Sequence, residues 1–129
     1  MEYWYNIAGT LAYYTNKCVF SLYDPYSKVH ENIRPPKGYE IELIKDTAHK
    51  IHTDFGLEMC TCAESIQDDI IKPNACIDAK LLKRIGAKIS DKRINAKDHS
   101  QRELCNCYPS IDIGQYHTCK SGCVYCYAK

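Results

Sequence analysis

Nine cysteines in 129 residues constrain this chain more than any other feature. A short chain so rich in thiols either staples itself with disulfides or presents its sulfurs to metals. Nine is odd, so complete pairing leaves one thiol over. Cys105 and Cys107 flank a single residue and Cys123 and Cys126 flank two, and such near neighbours form strained or catalytic disulfides rather than structural ones. The start, Met1-Glu2-Tyr3-Trp4-Tyr5-Asn6, lacks the basic and then apolar order of a secretory signal, so a cytoplasmic protein with reduced thiols is expected. Thiols serving metals are the reading that follows.

Hydrophobic residues make up 45% of the chain and charged residues 26%, the balance of a soluble globular protein. The net charge of +1 points to no class of partner. No apolar run approaches the roughly 18 residues needed to cross a bilayer, so no membrane partner is expected.

The order of elements predicts an α/β chain. Trp4, Ile7, Ala8 and Leu11 fall at helical spacing within residues 2–14. Residues 18–23 are apolar and aromatic and read as a buried strand ended by Asp24-Pro25-Tyr26. The clearest helix carries Ile41, Ile44, Ala48, Ile51 and Phe55 at steps of three and four, with Gly56 placed for a left-handed cap. Residues 57–62 read as the next strand, 63–77 as a loop broken by Pro73-Asn74, and 79–85 as a short helix capped by Asp78. Residues 87–103 are polar, basic and aperiodic, and 110–113 read as a last strand. Alternating strands and helices predict βα units on a parallel sheet. Too few units are present to close a barrel, so the expectation is half of a βα barrel with a cysteine-rich C-terminal loop region. The chain reads as one domain, 1–129, with βα units to residue 86 and the basic loop and cluster-binding end beyond. It also reads as the C-terminal fragment of a longer protein, whose open sheet edge invites a missing N-terminal half or a second copy.

Cys119, Cys123 and Cys126 spell CxxxCxxC. Three thiolates can hold three irons of a 4Fe–4S cubane and leave the fourth open for a ligand. Gly122 inside the first gap lets the backbone wrap closely around a cluster. Tyr125, just before the last cysteine, is placed to pack against a bound adenine. Chance alone would put this spacing in roughly 4% of chains this rich in cysteine, so its context matters.

That context is the run from Cys105-Asn106-Cys107-Tyr108-Pro109 through Gly122-Cys123-Val124-Tyr125-Cys126-Tyr127-Ala128. It resembles the C-terminal part of the domain of unknown function 1848 family, which carries a cysteine cluster similar to that of radical S-adenosylmethionine enzymes. Cys62-Ala63-Glu64, Cys76-Ile77-Asp78, Gln101-Arg102 and Lys17-Cys18-Val19-Phe20-Ser21 also resemble family features. The Tyr125-Cys126-Tyr127-Ala128 ending is similar to the spore photoproduct lyase branch as well. The resemblance spans nearly all of this chain and about the second half of a family member. It implies a cluster on Cys119, Cys123 and Cys126 that chelates S-adenosylmethionine at its open iron. An electron donor would then drive reductive cleavage to a 5′-deoxyadenosyl radical that abstracts hydrogen from a substrate. A cluster motif at the C-terminus implies a permuted barrel order.

Cys62, Cys76, Cys105 and Cys107 form a second group. On a strand Cys60 and Cys62 share a face, and Cys62 sits at the carboxyl end, the mouth of βα architectures. Four thiolates would close a second Fe–S cluster or a tetrahedral zinc site. Cys18 reads as a small buried hydrophobe, and Cys60 is left without a role. His49 and His52 read as surface residues. His117 either tunes the cluster through a hydrogen bond or lies exposed on its loop. Glu64 and Asp112 either contact substrate or serve as cap and turn residues. The run of Lys80, Lys83, Arg84, Lys88, Lys92, Arg93, Lys97 and Arg102 could take phosphate or nucleic acid, but it lacks aromatic residues for base stacking, and a solvated loop is favoured. Three functions remain open: a radical enzyme, a non-catalytic iron–sulfur or zinc module, and an inactive truncated product.

Overall fold

The structure, a computed structural model, describes residues 1–25 and 33–126. Tyr26 of the expected turn and the Tyr127-Ala128 ending lie outside the described residues. Helix α1 spans Glu2–Leu11, strand β1 Lys17–Phe20, helix α2 Gly38–Phe55, strand β2 Glu58–Thr61, strand β3 Lys72–Pro73 and helix α3 Ala79–Arg84. The fold is mixed α/β. The three strands among the described residues pair in the order β1-β2-β3, all parallel, in an open sheet consistent with a partial barrel.

α2 forms because its stripe of apolar residues repeats at helical spacing, which brings Ala48 and Ile51 into full burial. Glu40 begins it. Its carboxylate accepts from the Lys37 amide at 2.8 Å and takes both terminal nitrogens of Arg34 at 2.6 and 2.9 Å. Gly56 ends it at φ +69°, in the left-handed cap expected from the sequence.

α1 turns a different face inward than its sequence suggests. Trp4, Tyr5, Ala8 and Ala12 meet the core, while Ile7 is 57% exposed and Leu11 is exposed as well. Aromatic contacts set that rotation: the Trp4 ring lies 4.9 Å from Phe20 and the Tyr5 ring 4.9 Å from Phe55. Gly9 permits the close approach, since a Cβ there would stand 2.7 Å from the Phe55 ring.

The parallel register aligns Cys18 with Met59 and Phe20 with Thr61. Strand alternation therefore gives the sheet a helix face, bearing Cys18, Phe20 and Met59, and an opposite face, bearing Lys17, Val19, Glu58 and Cys60. On the helix face Ala8, Ala48, Ile51, Leu57, Met59 and Ile71 form the core. Cys18 packs against it, half-buried, as its reading required. Cys60 is buried on the opposite face, where its thiol donates to Glu58 at 3.7 Å.

Two expectations are corrected. Residues 72–73, read as loop, form β3, because proline is tolerated on an edge strand and the Asn74 amide continues the pairing to the Thr61 carbonyl at 2.9 Å. Residues 110–113, read as a strand, are irregular, with Ile111 89% and Ile113 96% exposed. A β-prone sequence gains nothing without a neighbouring strand, and none of the described strands lies beside it. Residues 87–103 are irregular as expected, apart from a short 3₁₀ turn at Asp91–Arg93.

Candidate metal centre

Parallel strands deliver every carboxyl end to one side of the sheet, and the cysteines gather there. Cys62 follows β2 directly, and its amide donates to the Phe20 carbonyl of β1 at 3.1 Å. Cys76 lies just after β3, ahead of α3. That helix is fixed by the Asp78 carboxylate, which accepts from the amides of Lys80 and Leu81 at 2.8 and 3.3 Å. Cys107 arrives on an irregular segment stitched down by backbone bonds from Tyr108 to Ile77 and from Asp98 to Cys107, both 2.9 Å.

The sulfurs of Cys62, Cys76 and Cys107 all lie within 4.8 Å of one another. This triad could hold a metal ion. Cys105 is buried beside it, its sulfur accepting the Cys107 amide at 3.4 Å. The sulfur of Cys107 in turn accepts the Ile77 amide at 3.4 Å. Amide donors aimed at sulfur favour thiolate over thiol.

Burial pushes the Cys62 thiol up to about 12, and the neighbouring Cys76, Cys107 and Cys105 add to the shift. Burial likewise raises Cys105. Cys107 moves the other way: burial opposes its charge, but the amides of Ile77 and Cys76 and the thiols of Cys105 and Cys76 outweigh it. The group thus eases ionisation of Cys107 and resists it at Cys62 and Cys105. A bound cation would ease ionisation of all of them and deprotonate its ligands.

The second constellation is open. Cys119, Cys123 and Cys126 line one cavity of about 300 Å³ with His117, Lys120, Ser121 and Gly122. Cys119 and Cys123 are exposed and Cys126 is half-buried. Gly122 sits at φ +64°, a conformation glycine adopts freely, and turns the loop back on itself. The hydroxyl and amide of Ser121 hold the Cys119 thiol below its ordinary pKa. His117, at φ +62°, is exposed on the rim.

Tyr125, from the same loop, lines a separate cavity of about 420 Å³ with Ser21, Leu22, Tyr23, Asp24, Ile33 and Arg102. This cavity lies where the chain leaves β1. Glu64, buried beside it, accepts from the Ser21 hydroxyl at 2.6 Å and the Leu22 amide at 2.9 Å, with Arg102 at 3.8 Å. Arg102 also pairs with Asp24 and reaches the Cys62 carbonyl at 3.4 Å. Glu64 thus ties the ends of β1 and β2 together beneath the cavity. The sequence reading missed Asp24 and the backbone after β1 as cavity walls. Their position just past a strand's carboxyl end was the available signal.

The chain belongs to the DUF1848 family. Its family model, described as a domain of unknown function, matches residues 1–128. No curated protein and no solved structure matches the chain significantly. The match covers both cysteine groups of this DUF1848 chain and the strands that carry them.

The remaining sequence candidates take ordinary roles. Asp112 closes a turn by accepting the Gly114 amide at 2.7 Å. His49 is not a free surface residue: its Nε2 lies 2.9 Å from the Asp68 carboxylate, a partner 19 positions away that local sequence could not reveal. His52 donates from Nδ1 to the Leu57 carbonyl at 2.8 Å. Within the basic run, Lys83 pairs with Asp91 and Arg93 stacks over Tyr108 at 5.9 Å. No helix among the described residues is long and apolar enough to cross a membrane.

Proposed function

We propose that this DUF1848 chain is an iron–sulfur protein whose Cys119, Cys123 and Cys126 bind a 4Fe–4S cluster and, through it, S-adenosylmethionine. The observation that carries this reading is the placement of Tyr125. This residue, one of the two between Cys123 and Cys126, lines an apolar cavity at the carboxyl end of β1, where parallel sheets bind ligands. A loop able to hold a cluster therefore also walls a space suited to a planar ring.

The donor set fits the group. Three thiols on one solvent-open concavity can ligate three irons and leave the fourth accessible. When bound, the cluster would supply one electron from an external donor to the sulfonium and so break its carbon–sulfur bond. The chain's own part is to bind and orient. Tyr125 and Leu22 offer apolar surface, Arg102 and Asp24 offer charge for the amino-acid or ribose groups, and Glu64 holds Ser21 and Leu22 of the cavity wall. An open sheet edge at β1 gives a route to a second copy or a complementing half-barrel.

A second reading, a non-catalytic iron–sulfur or zinc module, draws on the strands: none of the three contains a glycine that could approach the methionine amino group. Anaerobic reconstitution with iron and sulfide distinguishes the two. About four irons per chain at this site are expected, lost on Cys119→Ala, Cys123→Ala or Cys126→Ala and kept on Cys18→Ala. S-adenosylmethionine should change the cluster's paramagnetic resonance, and Tyr125→Ala should weaken that change. Iron binding indifferent to all three cysteines would sink the reading.

A further inference from the structure

The sulfur spacing of Cys62, Cys76 and Cys107 bears on what the group could bind. A zinc ion holds its thiolates at about 2.3 Å in a tetrahedron, which sets neighbouring sulfurs roughly 3.8 Å apart. A cubane places each cysteine on a different iron and spreads the sulfurs to about 6 Å. A two-iron cluster brings only two cysteines onto one iron, so a third must again stand about 6 Å away. Three sulfurs all within 4.8 Å of one another match one ion and neither cluster.

We propose that Cys62, Cys76, Cys105 and Cys107 hold a single tetrahedral zinc ion in a closed, structural site. Three parts of the chain supply the ligands: the end of β2, the turn before α3, and the irregular segment around Cys105 and Cys107. That last segment has little else to hold it. Its backbone is fixed by isolated bonds such as Tyr108 to Ile77, and its buried side chains are the two cysteines themselves. Amides of Ile77 and Cys107 already point at sulfurs of the group, which is how thiolate ligands are oriented and charge-balanced. Cys105, buried next to the triad but outside its 4.8 Å set, would close on the ion as the fourth ligand. Four thiolates leave no vacant position, so this site performs no chemistry on a substrate. The proposal stands on this geometry and does not rest on the cluster assigned to the surface loop.

The test uses the full chain with Cys119, Cys123 and Cys126 all changed to Ser, which leaves the buried group alone. Elemental analysis should find about one zinc per chain and no stoichiometric iron or sulfide. Replacement by Co²⁺ should give the intense visible bands of a tetrahedral thiolate site. Cys105→Ser in that background should cut the thiolate-to-cobalt charge transfer by about a quarter. Cys76→Ser, at an exposed position that tolerates substitution, should weaken zinc binding at least about tenfold. Iron and inorganic sulfide bound to this variant in place of zinc would overturn the proposal. So would unchanged charge transfer in Cys105→Ser, or no metal at all in a folded chain. Loss of iron from the wild-type surface loop would bear only on the other site.

Discussion

The layers built by α1, α2 and the sheet contrast with the segment after Asn74. In the first region Ala8, Ala48, Ile51, Leu57, Met59 and Ile71 pack into one apolar cluster, with Thr47, Cys60, Thr61 and Glu64 buried around it. In the second, the described buried side chains are Ala79, Cys105 and Cys107. One region can fold by removing apolar surface from water. The other has sulfur where a core would be. The difference teaches that cysteines occupy the place of packing in the second region, and on the zinc proposal a metal would do for this segment what Ile51 does for the helices.

Stripping metal from the buried group should have the largest effect and tests that contrast directly. Structural zinc supplies on the order of 10 kcal/mol of folding free energy in small domains. In hydrogen exchange, the amides of Asp98 and Tyr108 should lose protection on chelation while those of Ala48 and Ile51 in α2 keep theirs. Parallel loss in both regions would erase the distinction. The converse is Ile51→Ala, which empties a fully buried site and should cost about 2–5 kcal/mol in denaturant unfolding. Metal content of the buried group should stay the same in the folded variant.

A smaller effect lies at the seam between the regions. Burial pushes the Asp68 carboxyl up, but the amides of Ile71 and Ile70 and the ring of His49 outweigh it and hold it down at about 2. A folded pKa below the unfolded one contributes stability that is complete above about pH 4 and fades as pH falls toward 2. With solvent screening the contribution should be about 1 kcal/mol. Acid titration of Asp68→Asn should show a correspondingly shallower loss of stability over that window, with the slope above pH 5 unchanged.

The sequence disclosed what is local and periodic. The α2 stripe, its Gly56 cap, the Asp78 cap and strands β1 and β2 were legible because each is written within a few residues. α1 misled because Ile7 and Leu11 look like core residues, and only the rings of Phe20 and Phe55 decide which face turns in. β3 was hidden by Pro73, whose cost depends on being an edge, which is a tertiary fact. Residues 110–113 were overread for the same reason. At the sites, spacing grouped Cys62, Cys76, Cys105 and Cys107, but the approach of the Cys62, Cys76 and Cys107 sulfurs to within 4.8 Å of one another exists only in three dimensions. Arg102, Asp24 and Glu64 meet from positions tens of residues apart, and no local pattern joins them.

Trp4, the single tryptophan of the chain, packs tilted against Phe20 of β1, on the helix side of the sheet. Its emission therefore follows the seating of α1 on the sheet, while thiolate absorption from cobalt at the proposed site would follow the other region. A chain loaded in this way would carry two optical channels that do not overlap in origin. Heating a cobalt-loaded sample while recording both gives two melting curves from one cuvette, and the gap between their midpoints measures how tightly the thiolate segment is mechanically coupled to the layers beneath it.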